Sequence, residues 1–564
     1  MVDIPAPDQT GLAAALPEVK PAAGRSSRPH DSGQRTEGAG DREHEPRTPA
    51  SSVSFRSILF DRVDDNIEAA DPADADVLTD LRLDQVIDSV TAGRDAYDLK
   101  SLFRAPLRSV DTTAYRHEVF RDLEDQALAG HIRSFAQKLR TMREHLVRAG
   151  KVYYPYEKER WFLEAVKGYC EAVGILATEL TGKGLRSRGL QGFRDYLTTY
   201  VASGTFTTVV AETTQLLADL AEVSYRLHIV GSKIRVSAFD RAEPDYGADV
   251  LRTFEKFKQG AAREYRFELT SWPDMNHVEA EILDRVALLH PEVFAALDEY
   301  CARHRDYLDE TIARFDREVQ FYLAYLEHIA RFKPAGLDFC YPEVSDRSKE
   351  ISGQAVFDLA LAEVLVREKT PMVTNDFHLE DAERILVVSG PNQGGKTTFA
   401  RMIGQLHHLA AIGCPVPGTA ARLFLVDRIF SHFEREEDLQ NLSGKLEDDL
   451  RRIHRILERA TSDSLLVMNE SFGSTTLNDA VFLNKEVMRA IIDRDLLCVS
   501  VTFLDELATL GETVVSMVST VDADDPAIRT FKIVRRSADG LAYAAAIAAK
   551  HGLTSDRVKA RIAR

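Results

Sequence analysis

The stretch RILVVSGPNQGGKTTFAR, Arg384 to Arg401, constrains the fold of this chain more than any other. Ile385 to Val388 form a short apolar run, which reads as a buried strand. Gly390, Pro391, Gly394 and Gly395 then break the pattern, and Lys396-Thr397-Thr398 opens a helical one. A strand that stops at a glycine-rich loop and resumes as a helix predicts an α/β layer. Gly390, Gly395, Lys396 and Thr397 satisfy GxxxxGK[ST] in the setting that motif requires. Glycines let backbone N–H groups close around phosphates, and the helix N-terminus adds favourable partial positive charge. The loop Gly390, Pro391, Asn392, Gln393, Gly394, Gly395, Lys396, Thr397, Thr398 is therefore expected to bind a nucleotide. Lys396 would reach the β- and γ-phosphates, and the Thr397 hydroxyl would ligate Mg²⁺. ATP and Mg²⁺ are the expected cofactors.

Further apolar runs at 464–470 (SLLVMNE), 496–502 (LLCVSVT) and 513–519 (TVVSMVS) read as strands of the same parallel-type sheet. The first ends in Asn469-Glu470, where an acidic pair would deliver magnesium and water to the phosphates. Asn469 keeps an oxygen that can accept from a magnesium-bound water but carries no charge, and outer-shell changes at metal sites cost roughly 10- to 100-fold. Glu470 is the right residue type to orient an attacking water. The expected site binds ATP well and hydrolyses it slowly. The alternative is that Asn469 merely ends a core strand and hydrogen-bonds the neighbouring loop. In NLSGKLEDDLRRIHRIL, Leu446, Leu450, Ile453 and Leu457 mark a helix face that places Ser443 and Gly444 at its N-terminus. By pattern alone that is a plain N-cap.

At 564 residues the chain is too long for one core. Residues 1–54 are rich in Pro, Ala, Gly, Ser, Arg and Asp, which predicts a disordered tail. Helical periodicity dominates 55–345, most plainly from His290 to Phe332, where apolar positions recur in steps of three and four and predict one long helix. Tyr225 to Phe239 alternates around Gly231-Ser232 and reads as a hairpin. Lys233, Arg235, Arg252, Lys256, Lys258, Arg263 and Arg266 make this neighbourhood basic. Either it tracks a phosphate backbone or it is a solvated face. The net charge of -18 means that any nucleic-acid contact must be local. Five scattered cysteines suit a reducing compartment, and no apolar run spans a bilayer, so a cytoplasmic protein without membrane contact is expected.

Taken together, these motifs resemble the MutS family of DNA mismatch-repair proteins. The loop GPNQGGKTT is similar to that family's, with Pro-Asn after the first glycine and Gly-Gly before the lysine. TNDFHL (374–379), VDRIFSHF (426–433) with EDL (437–439), and DGLAYAAAIAAKHGLTSDRVKARI (539–562) resemble further segments of its ATPase domain. Upstream, 97–125 and 321–344 resemble the start of the family's core domain and the return of its long lever helices. The resemblance implies a mixed α and α/β protein. A long-helix lever domain at 55–345, with a reduced clamp-like insertion at about 190–285, would precede a P-loop ABC-type ATPase domain at 346–564. It also implies that Asn375 lies against the adenine. Leu442-Ser443-Gly444 resembles the ABC signature, so Ser443 and Gly444 would cap the γ-phosphate bound by the other subunit of a homodimer.

Two departures stand out: Asn469 replaces the strand acid, and Thr502-Phe503 replaces the family's Thr-His. The mismatch-reading domain has no counterpart in the tail, so conventional mismatch readout is not expected. The resemblance implies an ATP-gated dimeric clamp on DNA, with Lys233, Arg235, Lys256 and Lys258 as candidate DNA contacts. The opposing reading is a nucleotide-switched dimeric scaffold that holds a protein partner, through its levers or tail, and not DNA.

Overall fold

The computed structural model describes residues 55–61, 74–239, 253, 274–434, 444–522, 524, 525 and 528–537. The predicted tail at 1–54 and the helix pair at 539–562 lie outside the described residues. The chain forms two compact units. Among the described residues, one takes in 56–61, 74–134, 176–195 and those from 309 onward; the other takes in Phe55, 135–175 and those of 196–308.

The first unit is built on a six-stranded sheet in the order Ile429–Phe433, Leu465–Asn469, Leu497–Val501, Ile385–Ser389, Val514–Val521, Arg529–Arg535. Every pairing is parallel except the last, which is antiparallel. Ile385, Leu386, Val387 and Val388 have no exposed surface, which is why the central strand reads as a continuous apolar run. Register aligns Asn469 with Val501 and Val501 with Val388. The loops that leave these strands therefore meet at the carboxyl edge of the sheet, where ligands of open parallel sheets bind. A four-stranded sheet (Glu343–Ser345, Ala420–Phe424, Ile351–Val356, Asn375–Leu379) flanks it in the chain.

Helix Glu310–Ala330 of this unit buries Phe315, Phe321, Tyr322 and Tyr325. Ser57 and Ile58 are hydrogen-bonded to it. The Glu318 carboxylate accepts from Ser57 Oγ and Ile58 N, both at 2.9 Å, and the Tyr322 hydroxyl donates to Ile58 O at 2.6 Å. The Arg116 guanidinium donates to Leu59 O at 3.2 Å and to Ile412 O at 2.8 Å.

Among the described residues, the second unit is helical apart from the hairpin. Strands Tyr225–Val230 and Lys233–Ala238 pair antiparallel around Gly231-Ser232, as the alternation predicts, and Gly231 takes φ 59°. Val236 packs on a cluster of Val286, Ala287 and Phe294. One expectation fails. His290 to Phe332 is not a single helix but two, Pro291–Arg303 and Glu310–Ala330. The apolar spacing continues through the break, because His304 and Tyr307 are still buried. Local capping overrides it: the Asp309 side chain accepts from Thr311 N and Ile312 N, both at 3.0 Å, and so starts a new helix. All five cysteines are free thiols, and among the described residues no helix is long and apolar enough to cross a membrane.

Candidate nucleotide site

A cavity of about 750 Å³ opens at the carboxyl edge of the sheet. That volume lies within the range of small-molecule sites. One end is lined by the loop and helix start from Asn392 to Thr398, together with Glu470; Leu361, Leu365, Pro371, Met372 and Val373 line an apolar end.

The loop cannot be built from other residues at two positions. Gly390 has φ +116°, and a side chain there would meet the Ser519 backbone oxygen at 2.9 Å. A side chain at Gly394 would meet the Ser519 hydroxyl at 2.3 Å; that hydroxyl donates to Gly394 O at 2.7 Å. Ser519 is fully buried, so the neighbouring strand props the loop from below. Arg529 Nε supports it from the edge strand by donating to Asn392 O at 3.2 Å. Gly395, at φ +89°, caps helix Lys396–Ala411 and aims the helix N-terminus at the cavity.

Lys396 is 4% exposed and folds back on its own loop, donating to Gly390 O at 3.0 Å and Pro391 O at 3.1 Å. Its ammonium also lies 4.3 Å from the centroid of the Phe503 ring. Burial lowers its pKa, with Glu470 opposing the shift and Arg529 adding to it. The Thr397 hydroxyl donates to Asn469 Oδ1 at 2.9 Å, so the two residues expected at the magnesium are in direct contact.

Glu470 adopts φ 52° and Phe472 φ 61°, a conformation that costs of order 1–3 kcal/mol per non-glycine residue and clusters at functional sites. Two anchors hold Glu470 there: its own N–H donates to Val501 O at 2.9 Å, and Phe472 is buried at 1% exposure. Burial raises the Glu470 carboxyl pKa, Lys396 counteracts this, and Glu434 reinforces it. A carboxylate in that setting suits a group that orients or accepts a proton from water.

Among the described residues no cluster of three or more His, Cys, Asp and Glu side chains is arranged to hold a metal ion. The donor set here is one hydroxyl, one amide oxygen and one carboxylate. That set fits Mg²⁺, which takes few protein ligands and keeps waters and substrate phosphates.

The remaining expected residues separate. Asn375 lines the cavity, but its carboxamide is already engaged: its nitrogen donates to Phe531 O at 3.2 Å, and its oxygen accepts from Ile533 N at 2.8 Å. Gly390, Pro391 and Asn469 support the lining without joining it. Gly444 caps helix Lys445–Arg459 and is not part of the cavity wall, and Ser443 lies outside the described residues. Lys233 and Arg235 sit two apart on the hairpin and so share a face; the register adds His228 opposite Arg235 and Arg226 opposite Ser237 on that face. Lys256 and Lys258 lie outside the described residues.

Three contributors have no signal in the sequence: Ser519, Arg529 and Phe531. Phe531 is half-exposed with φ 58°, and it lines the cavity next to Gly395.

Residues 386–562 match the family model for MutS domain V. The chain is 27% identical over 322 residues to the DNA mismatch repair protein MutS of Chlorobaculum tepidum, covering 55% of this chain and 35% of that protein. It is 28% identical over 324 residues to DNA mismatch repair protein MutS 1 of Halobacterium salinarum, covering 55% and 34%. It is 29% identical over 242 residues to the MutS protein of Thermus aquaticus, covering 42% and 28%. The matches thus span about a third of those relatives' length, at 35%, 34% and 28%. Residues 386–562 match MutS domain V, and similarity to MutS proteins extends over about half of the chain.

Proposed function

We propose that this protein is an ATP-gated, DNA-binding member of the MutS family that acts as a homodimer and hydrolyses ATP slowly. The observation that carries this reading is the cavity on which Lys396, Thr397 and Glu470 converge, with Asn469 hydrogen-bonded to Thr397. Lys396 and the helix N-terminus would take the phosphates, and Thr397 with Asn469 would hold Mg²⁺ and its water. The ion supplies charge neutralisation on the phosphates when bound. Glu470 would orient the attacking water. The neutral amide of Asn469 lowers the charge beside the metal, which favours binding over turnover. Ser443 and Gly444 at the start of helix Lys445–Arg459 would complete the site of a second copy.

DNA would be held through phosphates by Lys233 and Arg235 on the hairpin, with Lys256 and Lys258. An electrophoretic shift assay across a salt titration, with and without ATP, tests this. Affinity should fall steeply with salt, depend on ATP, and lose slope in a Lys233→Ala/Arg235→Ala variant. No DNA binding at low salt in either nucleotide state would refute the DNA half and leave the nucleotide-switched scaffold holding a protein partner.

A further inference from the structure

The Lys396 ammonium is held on three sides by its own chain. Two of its donors reach Gly390 O and Pro391 O, and the Phe503 ring faces it at 4.3 Å. An ammonium within about 6 Å of an aromatic centroid is attracted by the ring's negative face, more strongly when desolvated. Lys396 is desolvated, at 4% exposure.

The ring's position is set by backbone on both sides. Thr502 N donates to Val388 O at 3.1 Å, tying this turn to the strand that feeds the loop. The Thr502 hydroxyl accepts from Leu504 N at 3.0 Å, which closes the turn that presents Phe503. Phe503 itself is half-exposed and supports no core. Its side chain offers neither donor nor acceptor, so it cannot make a hydrogen bond to a phosphate oxygen.

We propose that Phe503 is a positioning residue for Lys396, holding the ammonium against its own loop and thereby lowering affinity for nucleoside di- and triphosphates. The proposal rests on the nucleotide-binding reading of the cavity. Phosphate binding must draw Lys396 off the ring, so the contact is lost as the ligand arrives and counts against it. Weakening the ring's negative face then tightens nucleotide binding.

The test is equilibrium binding of a fluorescent ADP and a fluorescent ATP to the full chain. Phe503 is replaced by Leu, by Tyr, and by a series of increasingly fluorinated phenylalanines. Fluorination preserves ring shape while removing the charge distribution that attracts a cation. Affinity should rise stepwise along the series, with Phe503→Leu about two- to thirtyfold tighter than the natural chain and Phe503→Tyr close to it. A flat series, or weaker binding in Phe503→Leu, overturns the proposal while leaving the nucleotide site standing. Failure of the unsubstituted chain to bind either nucleotide overturns both.

Discussion

The Thr397 hydroxyl donates a 2.9 Å hydrogen bond to the side-chain oxygen of Asn469, joining the start of the phosphate-loop helix to the end of a strand two positions away in the sheet. In the proposed function, this uncharged oxygen takes the place of a carboxylate beside a magnesium ion's water shell. Asn469→Asp should therefore raise steady-state ATP hydrolysis by up to about tenfold and lower the Mg²⁺ concentration required. Turnover across a magnesium titration decides this; superimposable curves for the two proteins would mean that Asn469 only closes a strand.

Glu470→Gln removes the carboxylate that would orient water but keeps the shape of the side chain. ATP should accumulate unhydrolysed on this variant, and light scattering should report a dimer with ATP and a smaller species without it. The prediction follows from the placing of Gly444 at a helix start that is not part of its own chain's cavity wall. A strict monomer with ATP bound would refute the composite site.

Asn375 holds the edge strand through two hydrogen bonds, to Phe531 O and from Ile533 N. Asn375→Ala leaves both backbone groups without that partner, so thermal stability should drop by about 1–3 kcal/mol. Nucleotide affinity should fall as well, because Phe531 and the cavity wall lose their tether. Unchanged melting and unchanged binding would show that the carboxamide positions nothing.

Acid should destabilise the fold within a defined window. Burial pulls His117 and His407 down to about 4, from an ordinary value of 6.5. These rings are neutral in the folded state, whereas the unfolded chain takes up their protons as soon as pH drops through 6.5. Their contribution is thus intact above pH 6.5 and is lost progressively as pH falls towards 4. By pH 5 each should cost on the order of 2 kcal/mol. Melting temperatures from pH 7.5 to 5 should fall accordingly, and His407→Met should flatten part of the slope. A melting temperature independent of pH over that range would contradict the buried, neutral assignment.

The sequence makes the strand–loop–helix at one end of the cavity legible, because Gly390, Gly395, Lys396 and Thr397 are fixed to one another by local spacing. Glu470 is legible for the same reason, as it ends an unmistakable apolar strand. The hairpin is legible because Gly231-Ser232 interrupts a period of two. What escapes is assembled at long range. Ser519, Arg529 and Phe531 reach the loop only because sheet order puts Val514–Val521 beside Ile385–Ser389, with Arg529–Arg535 at the edge. No spacing in the chain encodes that adjacency. The helix break near His304 escapes for the opposite reason: apolar periodicity averages over many residues, whereas one Asp309 cap acts on two N–H groups.

The central claim is that this cavity binds a nucleotide through Lys396, and calorimetric titration of Mg²⁺–ATP into the natural chain and Lys396→Ala tests it most directly. The natural chain should bind near one ATP per subunit. The variant should keep its circular dichroism spectrum while losing detectable binding, because the Lys396 ammonium donates to carbonyls of its own loop. A folded Lys396→Ala protein that binds ATP as the natural chain does would contradict the account.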